Sequence, residues 1–168
     1  MKKIIELMNE LKQKGLISNY ALFGAMAVAV YVEAIATEDF DMVVAMKNDG
    51  FIDMSPIYQH IKSMGYDMEG LHFIIDGIPL DIVVVKNDSN DILFEALQHS
   101  VSKNTDLGAI KVFTPDYLAA IALGVGRKKD YRKIDLLLDS GKITKKIAVI
   151  LKKYKLSSKW EKYKRGVL

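Results

Sequence analysis

Apolar residues near the start of the chain fall at helical spacing, with Ile4, Ile5, Leu7, Met8 and Leu11 on one side. Lys2, Lys3, Glu6, Glu10 and Lys12 occupy the other side, so the pattern predicts an amphipathic helix closed by Gly15. Residues 20–23 (YALF) predict a short buried strand, broken by Gly24. Alanine and valine on nearly every side of residues 25–34 then predict a helix buried all round. After a turn at Thr37-Glu38, residues 40–46 are β-branched and apolar and predict a second strand. Asn48-Asp49-Gly50 reads as loop, and Ser55-Pro56 opens a helix that runs to Ser63 and ends near Gly65.

Residues 71–75 and 78–85 predict strands joined by Asp76-Gly77, a two-residue hairpin signal. A helix over 90–99 follows, capped by Asn87, Asp88 or Ser89, and residues 109–113 read as a last strand. From Thr114-Pro115-Asp116 the pattern is helical to the end, broken by Gly124, Gly126 and Gly141. The expected architecture is α+β: a mixed β-sheet core over 1–113, with helices packed on it, and a C-terminal helical region over 114–168.

Composition narrows the function classes. The 168 residues suffice for a sizeable core without disulfides or structural metal. Cysteine is absent, which excludes a disulfide framework and thiolate chemistry. His60, His72 and His99 share no short metal-ligand spacing, so a zinc site is not expected. Charges interrupt the apolar start, unlike a secretory leader. The longest apolar run, 20–32, falls short of the roughly 20 residues that span a bilayer. A cytoplasmic protein without a membrane partner is expected.

Charge is unevenly placed. Residues 141–168 hold ten Lys or Arg and one acid, Glu161, whereas the rest of the chain holds 14 bases and 20 acids. A basic tail on an acidic body can draw a polyanion toward one end, or be the solvated face of an amphipathic helix. Tyr154, Trp160 and Tyr163 lie among the tail lysines, where aromatic rings either stack on unpaired nucleotides or anchor the helix by packing.

Asp39-Phe40-Asp41 is the only Asp-x-Asp in the chain. On a strand the two carboxylates share a face, roughly 7 Å apart at the backbone. Burying two like charges unpaired is costly, and a divalent cation with hard oxygen ligands removes the conflict. Asp81, embedded in the apolar run 78–85, needs a partner for the same reason: the same cation, or an ion pair with Lys or Arg. If its strand neighbours 40–46, it joins the pair. Gly24, at a strand-to-helix turn, permits close approach of a phosphate to backbone amides, or is plain turn chemistry.

Together, residues 23–27 (FGAMA), 37–43 (TEDFDMV) and 80–82 (LDI) resemble the nucleotidyltransferase superfamily of the DNA-polymerase-β type. Among its small members they resemble the AbiEii-type toxins of abortive-infection systems. Residues 127–135 (RKKDYRKID) are similar to that family's Arg-x-Lys-Asp…Asp helix region, so the resemblance spans 20–140. It implies that Asp39 and Asp41 bind Mg²⁺ (or Mn²⁺) gripping a nucleoside triphosphate, ATP included, with Asp81 on the catalytic metal and helping to deprotonate a hydroxyl. Gly24 and Ala25 would border the phosphates, Thr37 would donate a hydroxyl, and Arg127, Lys129 and Asp130 would contact nucleotide or pair between domains.

The implied activity is transfer of a nucleoside monophosphate to a hydroxyl of RNA, a protein or a small molecule, in a toxin–antitoxin setting with an antitoxin-like partner. Three departures stand against turnover. Ala25 replaces a second Gly or a Ser, Ile35 stands where many relatives have Arg, and Ala122 where toxin-type members have Lys. They favour the alternative of a catalytically inactive module that binds nucleotide, nucleic acid or a protein partner. A third reading, a structural ion-pair network without ligand, requires a cationic partner for each aspartate.

Overall fold

The structure is a computed structural model that describes residues 2–32, 37, 39–46, 52–105 and 108–168. Helix α1 (Lys2–Gln13) buries the five apolar residues of its predicted face. It ends at Gly15, whose φ of 71° lets Leu16 N–H reach the Leu11 carbonyl and Gly15 N–H the Lys12 carbonyl, at 3.0 Å each. Strand β1 (Ile17–Phe23) starts three residues earlier than the apolar run, because Ile17 and Asn19 pair with Met46 and Ala45 across a bulge at Ser18, whose hydroxyl donates to the carbonyls of both.

Helix α2 (Gly24–Ala29) is shorter than its alanine-rich stretch, and the expected end of that helix, with Ile35, lies outside the described residues. So do Glu38 and the Asn48-Asp49-Gly50 loop. Strand β2 (Phe40–Met46) and helix α3 (Ser55–Ser63) fall where expected. Strands β3 (Asp67–Glu69), β4 (His72–Ile75) and β5 (Ile78–Val85) form a meander. Asp76 and Gly77, both at positive φ, make its second turn, as a two-residue hairpin of this twist requires.

Helix α4 (Ile92–Gln98) is capped by Asp91, which accepts from Leu93 N at 2.8 Å, in place of the three candidates upstream. Strands β6 (Val101–Thr105) and β7 (Gly108–Val112) form a hairpin whose first strand is polar and exposed, which hid it from a pattern of buried residues. The seven strands order as β3-β4-β5-β2-β1-β7-β6, with β2–β5 and β1–β7 parallel and the other pairs antiparallel. Central β2 is buried at Met42, Val43, Val44 and Ala45 in succession, the mark of a strand covered on both faces.

The last four helices are α5 (Pro115–Val125), α6 (Lys128–Asp139), α7 (Ile147–Lys153) and α8 (Ser157–Lys164). Gly124 does not break α5; Gly126, at φ 74°, ends it. The break between α7 and α8 carries no glycine: Lys155 takes the left-handed conformation at φ 57° instead. The predicted Thr114 cap makes no side-chain bond. Asp116, 4% exposed, instead accepts from Thr144 N at 2.7 Å and Thr144 Oγ1 at 2.9 Å, tying the α6–α7 connection to the start of α5. Trp160 is buried and Tyr154 hydrogen-bonds Glu95, so both serve as anchors. Among the described residues no helix is long and apolar enough to cross a membrane.

Removing the Asp116 carboxylate removes two hydrogen bonds to a buried charged acceptor. Asp116→Ala is expected to cost about 1–3 kcal/mol. That lowers Tm by about 2–4 °C for each kcal/mol in a thermal melt. Asp116→Asn, which keeps one acceptor, falls between the variant and wild type.

Candidate functional site

Strand register builds the site. Parallel pairing of β2 with β5 places Asp41 directly beside Asp81, and antiparallel pairing of β1 with β2 sets Phe23 opposite Asp41. On the far side, β4 runs antiparallel to β5 with Phe73 opposite Leu80. The next pair outward is therefore His72 and Asp81, whose Nδ1 and Oδ1 are 2.5 Å apart. His72, Asp81 and Asp41 thus form one row across three strands, on one face.

Gly24 explains how Asp41 fits. A Cβ at this position would lie 2.0 Å from Asp41 Oδ2, and the φ of +69° independently favours glycine. The bare backbone at the start of α2 thus seats the carboxylate. Asp39, just before β2, is exposed and lines the same cavity, as do Ala25 and Thr37.

The cavity holds about 720 Å³ and has a second, basic wall. Arg127, Lys129, Arg132 and Lys133 line it, with Leu136 as an apolar patch. Positions 129, 132, 133 and 136 recur at three- and four-residue intervals, so one face of α6 supplies most of this wall. Asp130 does not line the cavity: at 2% exposure it accepts from Arg127 Nε at 2.7 Å and Lys133 Nζ at 3.0 Å. It also accepts from the Arg127 backbone N–H, capping α6. Burial alone would raise the Asp130 carboxyl, but these bonds to Arg127 and Lys133 outweigh it and hold the group at about 2. Ala122 is buried within α5.

Of the residues the sequence singled out, Ala25, Thr37, Asp39, Asp41, Asp81, Arg127 and Lys129 line one cavity, with Gly24 beneath Asp41. His72, Arg132 and Lys133 were not singled out. Two signals point to them: His72 and Asp81 are symmetric about the Asp76-Gly77 turn, and the cations of α6 share a helical spacing with Lys129.

Electrostatics on the acidic side are unbalanced. Burial pushes the Asp41 carboxyl up to about 6, and the charges of Asp81 and Asp39 add to the rise, opposed by Lys133 and Lys129. A divalent cation would relieve this repulsion, and carboxylate oxygens are the hard donors it prefers. Among the described residues no group of three His, Asp or Glu side chains could hold an ion. The three-carboxylate cluster expected of Asp39, Asp41 and Asp81 is thus not formed; a cation here would rest on the register pair Asp41 and Asp81, its other oxygens coming from outside the chain.

Because the Asp41 carboxyl sits higher in the folded chain than its ordinary 3.8, the native state holds the extra proton. This group therefore destabilises the fold above about pH 6, and the penalty is relieved as pH falls from 7 toward 4. Asp41→Asn is expected to stabilise the metal-free protein at pH 7 by on the order of 1–2 kcal/mol, after allowance for solvent screening. It should also flatten the pH dependence of denaturant unfolding between pH 5 and 7. Equal stability of variant and wild type across that window would contradict the assignment.

No protein-family model matches the chain, and no curated protein matches it. Among solved structures, the crystal structure of an antigenic nucleotidyltransferase-like protein from Paracoccidioides brasiliensis is similar, with a TM-score of 0.54 at 17% identity. The alignment covers 95% of this chain and 91% of that one. At such identity the likeness is one of fold. The chain has an α+β fold in which a seven-stranded mixed sheet carries packed helices and C-terminal helices, resembling a nucleotidyltransferase-like structure.

Proposed function

We propose that the chain is a metal-dependent nucleotidyltransferase, moving a nucleoside monophosphate from a nucleoside triphosphate to a hydroxyl of RNA, a protein or a small molecule. The observation that carries this reading is the opposition, across one cavity, of the in-register pair Asp41 and Asp81 to four cations on and beside α6. A triphosphate–metal complex needs both: carboxylates for the cation and basic groups for the phosphate charge left over.

Asp41 and Asp81 would hold Mg²⁺ or Mn²⁺, with Asp39 adding negative charge at the rim. Bound there, the cation supplies charge neutralisation at the phosphates and polarises the reacting phosphoryl group. Lys129 and Arg132 neutralise the outer phosphates, while Asp130 holds Arg127 and Lys133 at the wall. Leu136 offers an apolar contact for the nucleoside. The acceptor oxygen forms its bond to the α-phosphorus as the bond to the bridging oxygen breaks. Pyrophosphate leaves, and the hydroxyl proton passes to Asp81 or to water. Positioning and charge neutralisation dominate such chemistry, so a site of carboxylates and cations is adequate for it.

A second reading is favoured by Ala25, which lines the cavity with a methyl group where the resemblance implies a phosphate-binding glycine or serine. On that reading the fold binds nucleotide, nucleic acid or a protein partner without turnover. The toxin setting, and an antitoxin-like partner to neutralise it, rest on the resemblance alone.

Mg²⁺ with a non-hydrolysable nucleoside triphosphate is expected to raise Tm. At 100-fold excess over Kd the gain is about 2.7 kcal/mol, or about 5–10 °C. Asp41→Ala should abolish that shift; an equal shift in variant and wild type places the ligand elsewhere. Transfer is tested with triphosphates labelled at the α-phosphate and cell extract. Label on an acceptor that disappears with Asp39→Ala supports the enzyme, whereas binding without labelling supports the inert module.

A further inference from the structure

We propose that His72 is a positioning residue of this site: its ring donates one hydrogen bond to Asp81 and thereby presents the second carboxylate oxygen to a divalent cation shared with Asp41. The inference rests on the reading above and adds to it the device that orients the third carboxylate.

The juxtaposition is imposed by the sheet. Two residues of turn, Asp76 and Gly77, set the β4–β5 register, and that register carries His72 opposite Asp81 on the face that Asp41 also occupies. His72 lines the same cavity as both aspartates. Its Nδ1 lies 2.5 Å from Asp81 Oδ1. An ionised carboxylate only accepts, so Nδ1 carries the hydrogen and donates it. One oxygen of Asp81 is then committed, and Oδ2 remains for a cation.

Left alone, Asp81 would have reason to turn outward, since a second carboxylate stands beside it in register. The ring on that flank meets the carboxylate and fixes which oxygen faces outward, leaving the other uncommitted. The bond is a poor device for stability, because the His72 and Asp81 side chains are 48% and 33% exposed and ion pairs at such positions contribute little. Direct ligation by His72 does not fit either. Its ring and the two aspartates are not a group that could hold an ion among the described residues. Orientation of a ligating carboxylate by an outer hydrogen bond is the role left, and loss of such partners typically weakens metal binding by about 10–100-fold.

The test is Mn²⁺ binding to the full chain, followed by the electron paramagnetic resonance of free ion, for wild type, His72→Ala and His72→Asn. The Asn amide can place an N–H close to where Nδ1 stands. His72→Ala is expected to weaken Mn²⁺ binding by about 10–100-fold. His72→Asn should stay within about threefold of wild type, and the metal-free melting temperatures of all three should coincide. Wild-type affinity in His72→Ala overturns the inference while leaving the nucleotidyltransferase reading intact. Equal weakening in His72→Asn overturns it too, by showing that the ring acts through bulk and not through its donor. Absence of Mn²⁺ binding in wild type, with or without nucleotide, removes both the inference and the reading beneath it.

Discussion

Register between β2 and β5 is the constraint on which the rest of the molecule depends. Parallel pairing fixes Asp41 and Asp81 side by side, and like charges so placed are unfavourable in any sheet. Neither strand can slip to escape. A shift of one residue would swap Asp41 with Phe40, driving the carboxylate to the face where Phe40 is buried. The hydrophobic core therefore enforces an electrostatic conflict, and burial, with the charge of Asp81 added to it, raises the Asp41 carboxyl. A fold that keeps such a conflict in a cavity wall stores an affinity for positive charge.

The opposite wall is organised by the reverse principle. Asp130 is buried where one negative charge can serve two cations, so Arg127 and Lys133 are anchored without losing their excess positive charge. Helix α6 is itself braced from behind by α8: Tyr131 stacks on Tyr163, which also bonds Asp135, and Trp160 packs against Tyr163. The aromatic residues of the basic tail thus have architectural work, while many of its lysines remain at the surface.

Much of this was legible because the relevant signals are local. The Asp76-Gly77 turn, the apolar run of β2, the helically spaced apolar face of α1 and the Asp39-Phe40-Asp41 spacing each declare themselves within a few residues. What escaped depends on exposure or on distance along the chain. Strands β3 and β6 are polar and exposed at almost every position, and exist because a neighbouring strand offers them hydrogen bonds. The α7–α8 break rests on a lysine in a conformation that usually announces itself by glycine. Asp116 reads locally as part of a helix start, yet its partner Thr144 is 28 residues away. For His72 the clue lay in the hairpin: a turn fixes a register as well as a bend, and every pair outward from it follows.

The contact between Gly24 and Asp41 sets a limit on how this protein can diversify. The carboxylate rests on main chain, and main chain does not change when side chains do. Ala25 and Leu136, which line the same cavity, can therefore be exchanged without moving the Asp41 carboxylate. Position 24 has no such latitude. The smallest addition there, one methyl group, would displace the Asp41 carboxylate, so the mouth of this cavity tolerates change that its floor does not.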